Sequence, residues 1–258
     1  MSDRPLLVFD FDGVIVDGMD EYWWSASAAC AQLTGQQSSA SLSPDAVPTA
    51  FRGLRPRIHH GWEMVLMAAL LQEPDGLLQR LGVAGFVAGY ADHCRQALQA
   101  RGWTAPQLQQ ALEQVRQAAV ASDRSGWLAR HQPFPGVPER LRSLADDGVD
   151  WAVLTTKGRR FTAELLDGLD LHPSLLFGHE DGTKPDVLLQ LKSRRPLRGV
   201  VEDRRPTLET VLATPGLDGL PCFLADWGYL RPVDREGLPQ GIALLELSRL
   251  ASPLADWP

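Results

Sequence analysis

The stretch "RPLLVFDFDGVIVDG" (residues 4–18) places three aspartates directly after an apolar run. The four apolar residues "LLVF" are typical of a short strand that is buried on both faces. Asp10 and Asp12 follow this strand at once, and Asp17 comes shortly afterwards. Clustered carboxylates repel each other and lose hydration on burial, so this pattern indicates a chemical role at the end of the strand.

The overall composition is that of an ordinary globular protein. The 258 residues are 44% hydrophobic and 22% charged, which is enough to bury a substantial core. The net charge of −7 argues against a nucleic-acid partner or a membrane surface. No apolar run approaches the roughly 18 residues that span a bilayer. The isolated cysteines Cys30, Cys94 and Cys222, and the absence of a signal-peptide pattern, predict a cytoplasmic protein.

Further strand patterns follow much later in the chain. They cover residues 149–156, 174–180, 197–203 and 220–226, with 241–247 as a candidate edge strand. Helical patterns with proline near the start and glycine near the end lie between them. Alternating strands and helices with short connections predict an α/β fold, a mostly parallel, Rossmann-like sheet covered on both faces.

Residues 18–132 interrupt this alternation, because they carry helical patterns without a clear strand. A polar, proline-containing stretch, residues 38–50, divides them. We therefore predict two domains, an α/β core of residues 1–17 and 133–258 and an inserted all-helical domain of residues 18–132.

Ligands of open parallel sheets bind at the carboxyl ends of the strands, so the residues there are the candidate site. Carboxylates, a hydroxyl and a lysine occupy these positions: Asp10 and Asp12, then Thr155, Lys184, Glu202 with Asp203, and Asp226. Converging carboxylates need a cation, and oxygen ligands favour Mg²⁺. A threonine and a lysine beside the metal suit phosphoryl oxygens, while one aspartate attacks phosphorus and another handles the proton.

Four segments, "DFDGVIVDG", "VLTTKG", "GTKPD" and "VVEDRRPTLE", resemble in order and rough spacing the four motifs of the haloacid dehalogenase (HAD) superfamily. The resemblance covers residues 1–17 and 133–258. The helical insertion resembles the cap of the phosphoglycolate phosphatase and β-phosphoglucomutase branch, although it is longer than that branch leads one to expect. The resemblance implies a cap domain that closes over the site.

The resemblance also implies a catalytic role for each motif. Asp10 would be the nucleophile that forms an aspartyl-phosphate, and Asp12 the general acid and base. Thr155 and Lys184 would hold the phosphoryl oxygens.

The implied metal site would bind Mg²⁺. Its ligands would be Asp10, Asp203 and the backbone carbonyl of Asp12, with Glu202 as a further ligand or a neighbour of the ligands.

The resemblance further implies a phosphatase that acts on a small phosphorylated metabolite. The true dehalogenases lack an aspartate at the position of Asp12, so hydrolysis of a carbon–halogen bond is disfavoured. The form Glu202-Asp203 occurs in sugar-phosphate mutases as well as in phosphatases, which keeps a phosphomutase as an alternative. A non-catalytic phosphometabolite-binding protein is a third hypothesis.

The remaining polar residues have two interpretations each. Arg52 and Arg55, in "FRGLRPRIHHGWEM" (residues 51–64), are candidate contacts for an anionic substrate, or part of a solvated loop before a helix. Asp17 is predicted to be structural and Asp226 to cap a loop.

The chain has only three lysines among 25 basic residues. Lys184 is assigned to the third motif, and Lys157 and Lys192 are predicted to lie on the surface.

Overall fold

A computed structural model describes residues 4–35 and 47–258 of the chain. It divides into two compact units, which we call the core unit (Met1–Asp17 with Gln132–Pro258) and the helical unit (Gly18–His131). These bounds lie within one residue of the predicted domain boundaries, while the domain assignment itself stays a prediction. Residues 38–46 of the predicted polar stretch lie outside the described residues.

Eight strands lie among the described residues of the core unit. They are β1 (Leu6–Phe9), β2 (Val16–Asp17), β3 (Gln132–Pro133), β4 (Asp150–Leu154), β5 (Leu175–Phe177), β6 (Leu197–Glu202), β7 (Cys222–Ala225) and β8 (Ile242–Leu245). Six form one sheet in the order β5-β4-β1-β6-β7-β8, and every neighbouring pair is parallel. The predicted α/β, Rossmann-like core is confirmed, with β8 as the predicted edge strand.

The helices fall into two sets along the chain. The helical unit contains α1 (Met19–Thr34), α2 (Thr49–Leu54), α3 (Gly61–Gln72), α4 (Leu77–Ala88), α5 (Tyr90–Arg101) and α6 (Ala105–Leu128). The core unit contains α7 (Val137–Ser143), α8 (Arg159–Gly168), α9 (Lys184–Lys192), α10 (Arg205–Ala213) and α11 (Leu247–Leu250).

Strand β1 lies at the centre of the sheet, between β4 and β6. All four of its residues are fully buried, as a strand with both faces and both edges covered requires. Leu6 and Val8 join a core cluster that includes Leu188 of α9 and Leu208 of α10. The strand order reverses at β1, which places its carboxyl end at the switch point where ligands of such sheets bind.

The helical unit is built around α3. Residues Val65, Leu66, Met67 and Ala68 of this helix are fully buried, and α3 packs against both α1 and α6. A helix that is apolar on all sides belongs at the centre of a bundle, since no face of it is suited to water.

A short antiparallel ribbon, two residues long in each strand, joins the two segments of the core unit. Val16 of β2 pairs with Pro133 of β3, and Asp17 pairs with Gln132. The sequence does not predict this ribbon, because two-residue strands carry no periodicity. It brings together the points at which the chain leaves the core unit and returns to it.

Among residues 4–35 and 47–258, no helix has both the length and the apolar character needed to cross a bilayer. Cys30, Cys94 and Cys222 are all buried and free.

Candidate active site

A tight turn follows β1 and presents the two aspartates of the first motif. The backbone N–H of Asp10 still bonds to the carbonyl of Val201 on β6 at 2.8 Å, so Asp10 continues the strand. The chain then turns through Gly13, whose φ of +89° favours glycine. The Ile15 N–H donates to the Phe11 carbonyl at 2.8 Å, which closes the turn.

Lys184 lies between two carboxylates from different strands. Its Nζ is 2.8 Å from Oδ1 of Asp10 and also contacts the carboxylate of Glu202. It occupies the first position of α9, where the Thr183 hydroxyl caps the helix by accepting the Asp186 N–H. Burial lowers the pKa of Lys184, but the charges of Asp10 and Glu202 outweigh this and raise it. The lysine therefore stays protonated.

The electrostatics of Asp10 and Glu202 are those of a crowded anionic site. Burial raises the pKa of Asp10 to about 7, and the charge of Glu202 adds to this while Lys184 opposes it. Burial likewise raises the pKa of Glu202 to about 7, against the attraction of Lys184. One ammonium thus offsets only part of the cost of burying the two carboxylates.

Asp203 completes a cluster of carboxylates. One oxygen from each of Asp10, Glu202 and Asp203 lies within 4.8 Å of the others. The Tyr229 backbone N–H donates to Oδ2 of Asp203 at 2.9 Å and fixes its orientation. Three buried, converging carboxylates have the charge and the oxygen donors that a divalent cation such as Mg²⁺ requires, so these residues fit the implied metal.

Two glycines make room for Asp203. A β-carbon at Gly13 would lie 2.0 Å from Oδ2 of Asp203, and one at Gly228 would lie 2.2 Å from its Cβ. Both distances are far below van der Waals contact. The sequence "DFDG" therefore needs its glycine both for the turn and for the approach of this carboxylate.

The other two strand-end aspartates, Asp12 and Asp226, are not members of this carboxylate cluster. The side chain of Asp12 is not among its members, and its contribution through the backbone carbonyl stays a prediction. Asp226 pairs with Arg235 through both its side chain and its backbone carbonyl, and its predicted role as a loop cap stays a prediction.

Thr155 is buried directly after β4, whereas Thr156 is exposed. The Thr155 hydroxyl accepts a hydrogen bond from the Lys157 N–H at 3.1 Å. This bond within its own loop is the one expected if Thr155 had only a structural role. A hydroxyl that accepts one bond still has a proton to donate. Thr155 can therefore serve the turn and a phosphoryl oxygen together.

The prediction that Lys157 lies on the surface is wrong. Its side chain is only 2% exposed, and Nζ lies 3.3 Å from Oδ1 of Asp12. The prediction failed because the partner precedes Lys157 by more than a hundred residues. The rarity of lysine in the chain was the available signal. Lys192, by contrast, is exposed as predicted and bonds to the Gly216 carbonyl.

The loop of residues 226–230 holds the first motif through contacts that no sequence pattern predicted. The Trp227 indole N–H donates to the Val14 carbonyl at 3.0 Å. The Tyr229 hydroxyl donates to Oδ1 of Asp17 at 2.6 Å, while its backbone N–H serves Asp203. Asp17 has the structural role predicted for it.

The segment around Arg52 and Arg55 is largely helical, which corrects the prediction of a loop. It comprises α2 and a 3₁₀ turn, Arg55–Arg57. Arg52 is about half exposed and lies 3.7 Å from Asp20. Arg55 is buried with its guanidinium 5.0 Å from the centre of the Tyr22 ring. That packing gives Arg55 a structural task within the helical unit, and its contact with substrate stays a prediction.

The helical unit contains a buried ion pair of its own. The Arg116 guanidinium of α6 donates two hydrogen bonds to the Glu21 carboxylate of α1, at 2.8 and 2.7 Å. The Trp127 indole N–H donates to the same carboxylate at 3.4 Å. The sequence gives no sign of this pair, because its members are 95 residues apart.

Comparison with known proteins identifies a family. A family model described as haloacid dehalogenase-like hydrolase matches residues 5–194 of the chain. Among curated proteins, none gives a significant match.

Solved structures of low sequence identity share the fold. One is a predicted phosphatase from Clostridium acetobutylicum, 14% identical, with 97% of each chain covered and a TM-score of 0.52. Another is a predicted phosphoglycolate phosphatase from Haemophilus somnus, 16% identical, covering 97% of this chain and 96% of that one, with a TM-score of 0.54. A protein from Thermotoga maritima, provisionally assigned as a β-phosphoglucomutase, is 13% identical over 96% of each chain, with a TM-score of 0.55.

Proposed function

This chain belongs to the haloacid dehalogenase-like hydrolases, and on that premise we propose that it is a Mg²⁺-dependent phosphatase of a small phosphorylated metabolite. The observation that carries the proposal is the cluster at the end of β1. There a buried Asp10 contacts Lys184 and lies within 4.8 Å of Glu202 and Asp203, while Asp12 follows two residues later. These residues supply the proposed nucleophile, the proposed cation site and the proposed proton-transfer group at one strand end.

The proposed reaction has two steps. A carboxylate oxygen of Asp10 attacks phosphorus, and Asp12 protonates the leaving oxygen as its bond to phosphorus breaks. Asp12 then accepts a proton from water, which attacks the aspartyl-phosphate, releases inorganic phosphate and regenerates Asp10. Lys184 and the Thr155 hydroxyl would stabilise charge on the phosphoryl oxygens.

The carboxylates of Asp10, Glu202 and Asp203, with the backbone carbonyl of Asp12, would hold Mg²⁺. When bound, the cation would supply neutralisation of the negative charge on the phosphoryl group. In the helical unit, Arg52 is a better candidate for contacting an anionic substrate than Arg55, because its side chain is accessible.

The proposal is tested by measuring phosphate release from a panel of phosphate monoesters, with Mg²⁺ and with EDTA. We expect Mg²⁺-dependent release that Asp10→Asn abolishes. Asp92→Asn is the control, since it changes an exposed aspartate of the helical unit outside the cluster and should leave the rate unchanged. Rapid-quench mass spectrometry should find a phosphoryl group on the peptide that contains Asp10.

Other outcomes would overturn the proposal in distinguishable ways. An isomerised ester without free phosphate would make the protein a phosphomutase. Mg²⁺-dependent ligand binding without turnover would make it a binding protein. Full activity in Asp10→Asn would exclude the aspartyl-phosphate mechanism.

A further inference from the structure

The site contains a second lysine, Lys157, which is buried and has no task in the proposed reaction. Lys157 lies in the turn between β4 and α8, and its side chain is only 2% exposed. Its backbone is fixed at both ends of the residue. The N–H donates to the Thr155 hydroxyl at 3.1 Å, and the carbonyl accepts the His179 N–H at 3.4 Å.

Burying an ammonium group is costly unless a negative charge lies close to it. Nζ of Lys157 lies 3.3 Å from Oδ1 of Asp12, whose side chain is 15% exposed. Lys184 stands in the same relation to Asp10, at 2.8 Å. Asp10 and Asp12 of the first motif therefore each face a lysine whose side chain is at most 11% exposed, in a chain that has only three lysines.

We infer that Lys157 is a positioning residue for Asp12. This inference rests on the proposed function, in which Asp12 is the general acid. The ammonium holds Oδ1 of Asp12 and thereby fixes the rotation of the carboxyl group. The carboxyl group of Asp12 is thereby held in one orientation for proton transfer to the leaving group.

The inference predicts a dependence on the leaving group that a purely structural lysine would not produce. An alkyl phosphate expels a poor leaving group that needs a proton from Asp12. The p-nitrophenolate of p-nitrophenyl phosphate leaves without one. The measurement is kcat/KM, because this quantity reports the steps up to release of the alcohol or phenol and excludes hydrolysis of the aspartyl-phosphate.

General acid catalysis accelerates such reactions by about 10²–10⁴-fold. We expect Lys157→Met to lower kcat/KM for an alkyl phosphate by about tenfold. The same variant should change kcat/KM for p-nitrophenyl phosphate much less. Lys157→Arg keeps the positive charge and should restore part of the kcat/KM that Lys157→Met loses with the alkyl phosphate. The matched control is Lys192→Met, an exposed lysine outside the site, which should alter neither value.

A double-mutant cycle tests whether Lys157 acts through Asp12. In an Asp12→Asn background, Lys157→Met should cause no further loss with the alkyl phosphate. Should Lys157→Met fail to fold, Lys157→Gln takes its place in the same cycle. Equal losses with both substrates, no loss at all, or additive losses in the cycle would each overturn the inference. Wild-type protein that hydrolyses neither substrate would instead overturn the proposed phosphatase.

Discussion

Gly13 of the first motif is needed for the turn after β1 and also for the close approach of Asp203. Gly13 has a φ of +89°, and a β-carbon on it would lie 2.0 Å from Oδ2 of Asp203. Alanine with this positive φ would cost about 1–2 kcal/mol in backbone strain. The added β-carbon would also displace the Asp203 carboxylate of the proposed metal site. A glycine with a positive φ but no such neighbour separates the two effects.

We expect Gly13→Ala to weaken Mg²⁺ activation by about 10–100-fold, the loss typical of disturbed support around a metal site. Gly136→Ala is the control, because Gly136 has a similar φ of +76° but open space where the β-carbon would lie. It should lose stability without losing Mg²⁺ affinity. Titrations of phosphatase activity with Mg²⁺ measure both variants, and equal Mg²⁺ affinities would contradict this explanation.

The raised pKa values of Asp10 and Glu202, about 7 each, predict how stability depends on pH without Mg²⁺. The folded protein holds these protons more tightly than the unfolded chain. The resulting stabilisation is complete below the unfolded pKa values, near pH 4, and is lost as pH rises through about 7. In EDTA the free energy of unfolding should therefore fall from about pH 5 to pH 8, by up to about 1.4 kcal/mol per pH unit for each group.

Urea unfolding in EDTA across this pH range measures that slope. Glu202→Gln removes one of the two groups, and it also removes a charge that raises the pKa of Asp10, so its slope should be shallower. Added Mg²⁺ should stabilise the wild type more at about pH 8 than at about pH 5, because it binds the ionised carboxylates. Identical slopes in the two proteins would contradict the assignment.

At the scale of elements, the loop of residues 226–230 links two parts of the core unit. Tyr229 donates its backbone N–H to Asp203 and its hydroxyl to Asp17. One residue therefore connects the proposed metal site with the ribbon strand β2. Its hydroxyl can be removed without touching the bond to Asp203.

We expect Tyr229→Phe to lower the free energy of unfolding by about 1.5–3 kcal/mol, the usual contribution of a hydrogen bond to a charged group. Denaturant unfolding of Tyr229→Phe, Asp17→Asn and the double variant gives the coupling between the two side chains. A coupling near zero would show that the 2.6 Å contact contributes nothing to stability.

The large sheet was predictable from sequence because its strands are apolar runs that end in polar residues. Each predicted strand of this sheet contains an observed one, and the carboxyl end of β1 was recognised from Asp10 and Asp12. The ribbon of β2 and β3 was not, since its two-residue strands are defined only by their pairing.

Site residues were predictable where a characteristic residue type directly follows a strand. They were not predictable where the position of the side chain depends on a partner far away in the sequence. Asp10, Lys184, Glu202 and Asp203 were recognised from local motifs, and the structure brings them together. The burial of Lys157 depends on Asp12 instead, which no local pattern reveals.

At the scale of the whole molecule, the chain consists of two units that each have their own buried charges. In the helical unit, Glu21 and Arg116 join the first helix to the last through two hydrogen bonds, and both side chains are buried. Removing one member of a buried ion pair leaves an uncompensated charge, which is far more destabilising than removing both.

We therefore expect Arg116→Met to lower the free energy of unfolding by about 3–5 kcal/mol. Replacing Glu21 and Arg116 together by methionine should recover part of that loss, because neither charge then remains buried. The control is Arg95→Met in the same unit, which breaks an ion pair with Asp92 that is exposed on both sides and should leave stability unchanged.

Limited proteolysis with mass mapping shows where Arg116→Met acts. Because both partners belong to the helical unit, the new cleavage sites should lie within residues 18–131, while the large sheet of the core unit stays protected. Equal cleavage in both units would mean that the two unfold as one cooperative body, so that the pair stabilises the whole chain. Unchanged unfolding and unchanged cleavage would show that the buried pair contributes no net stability.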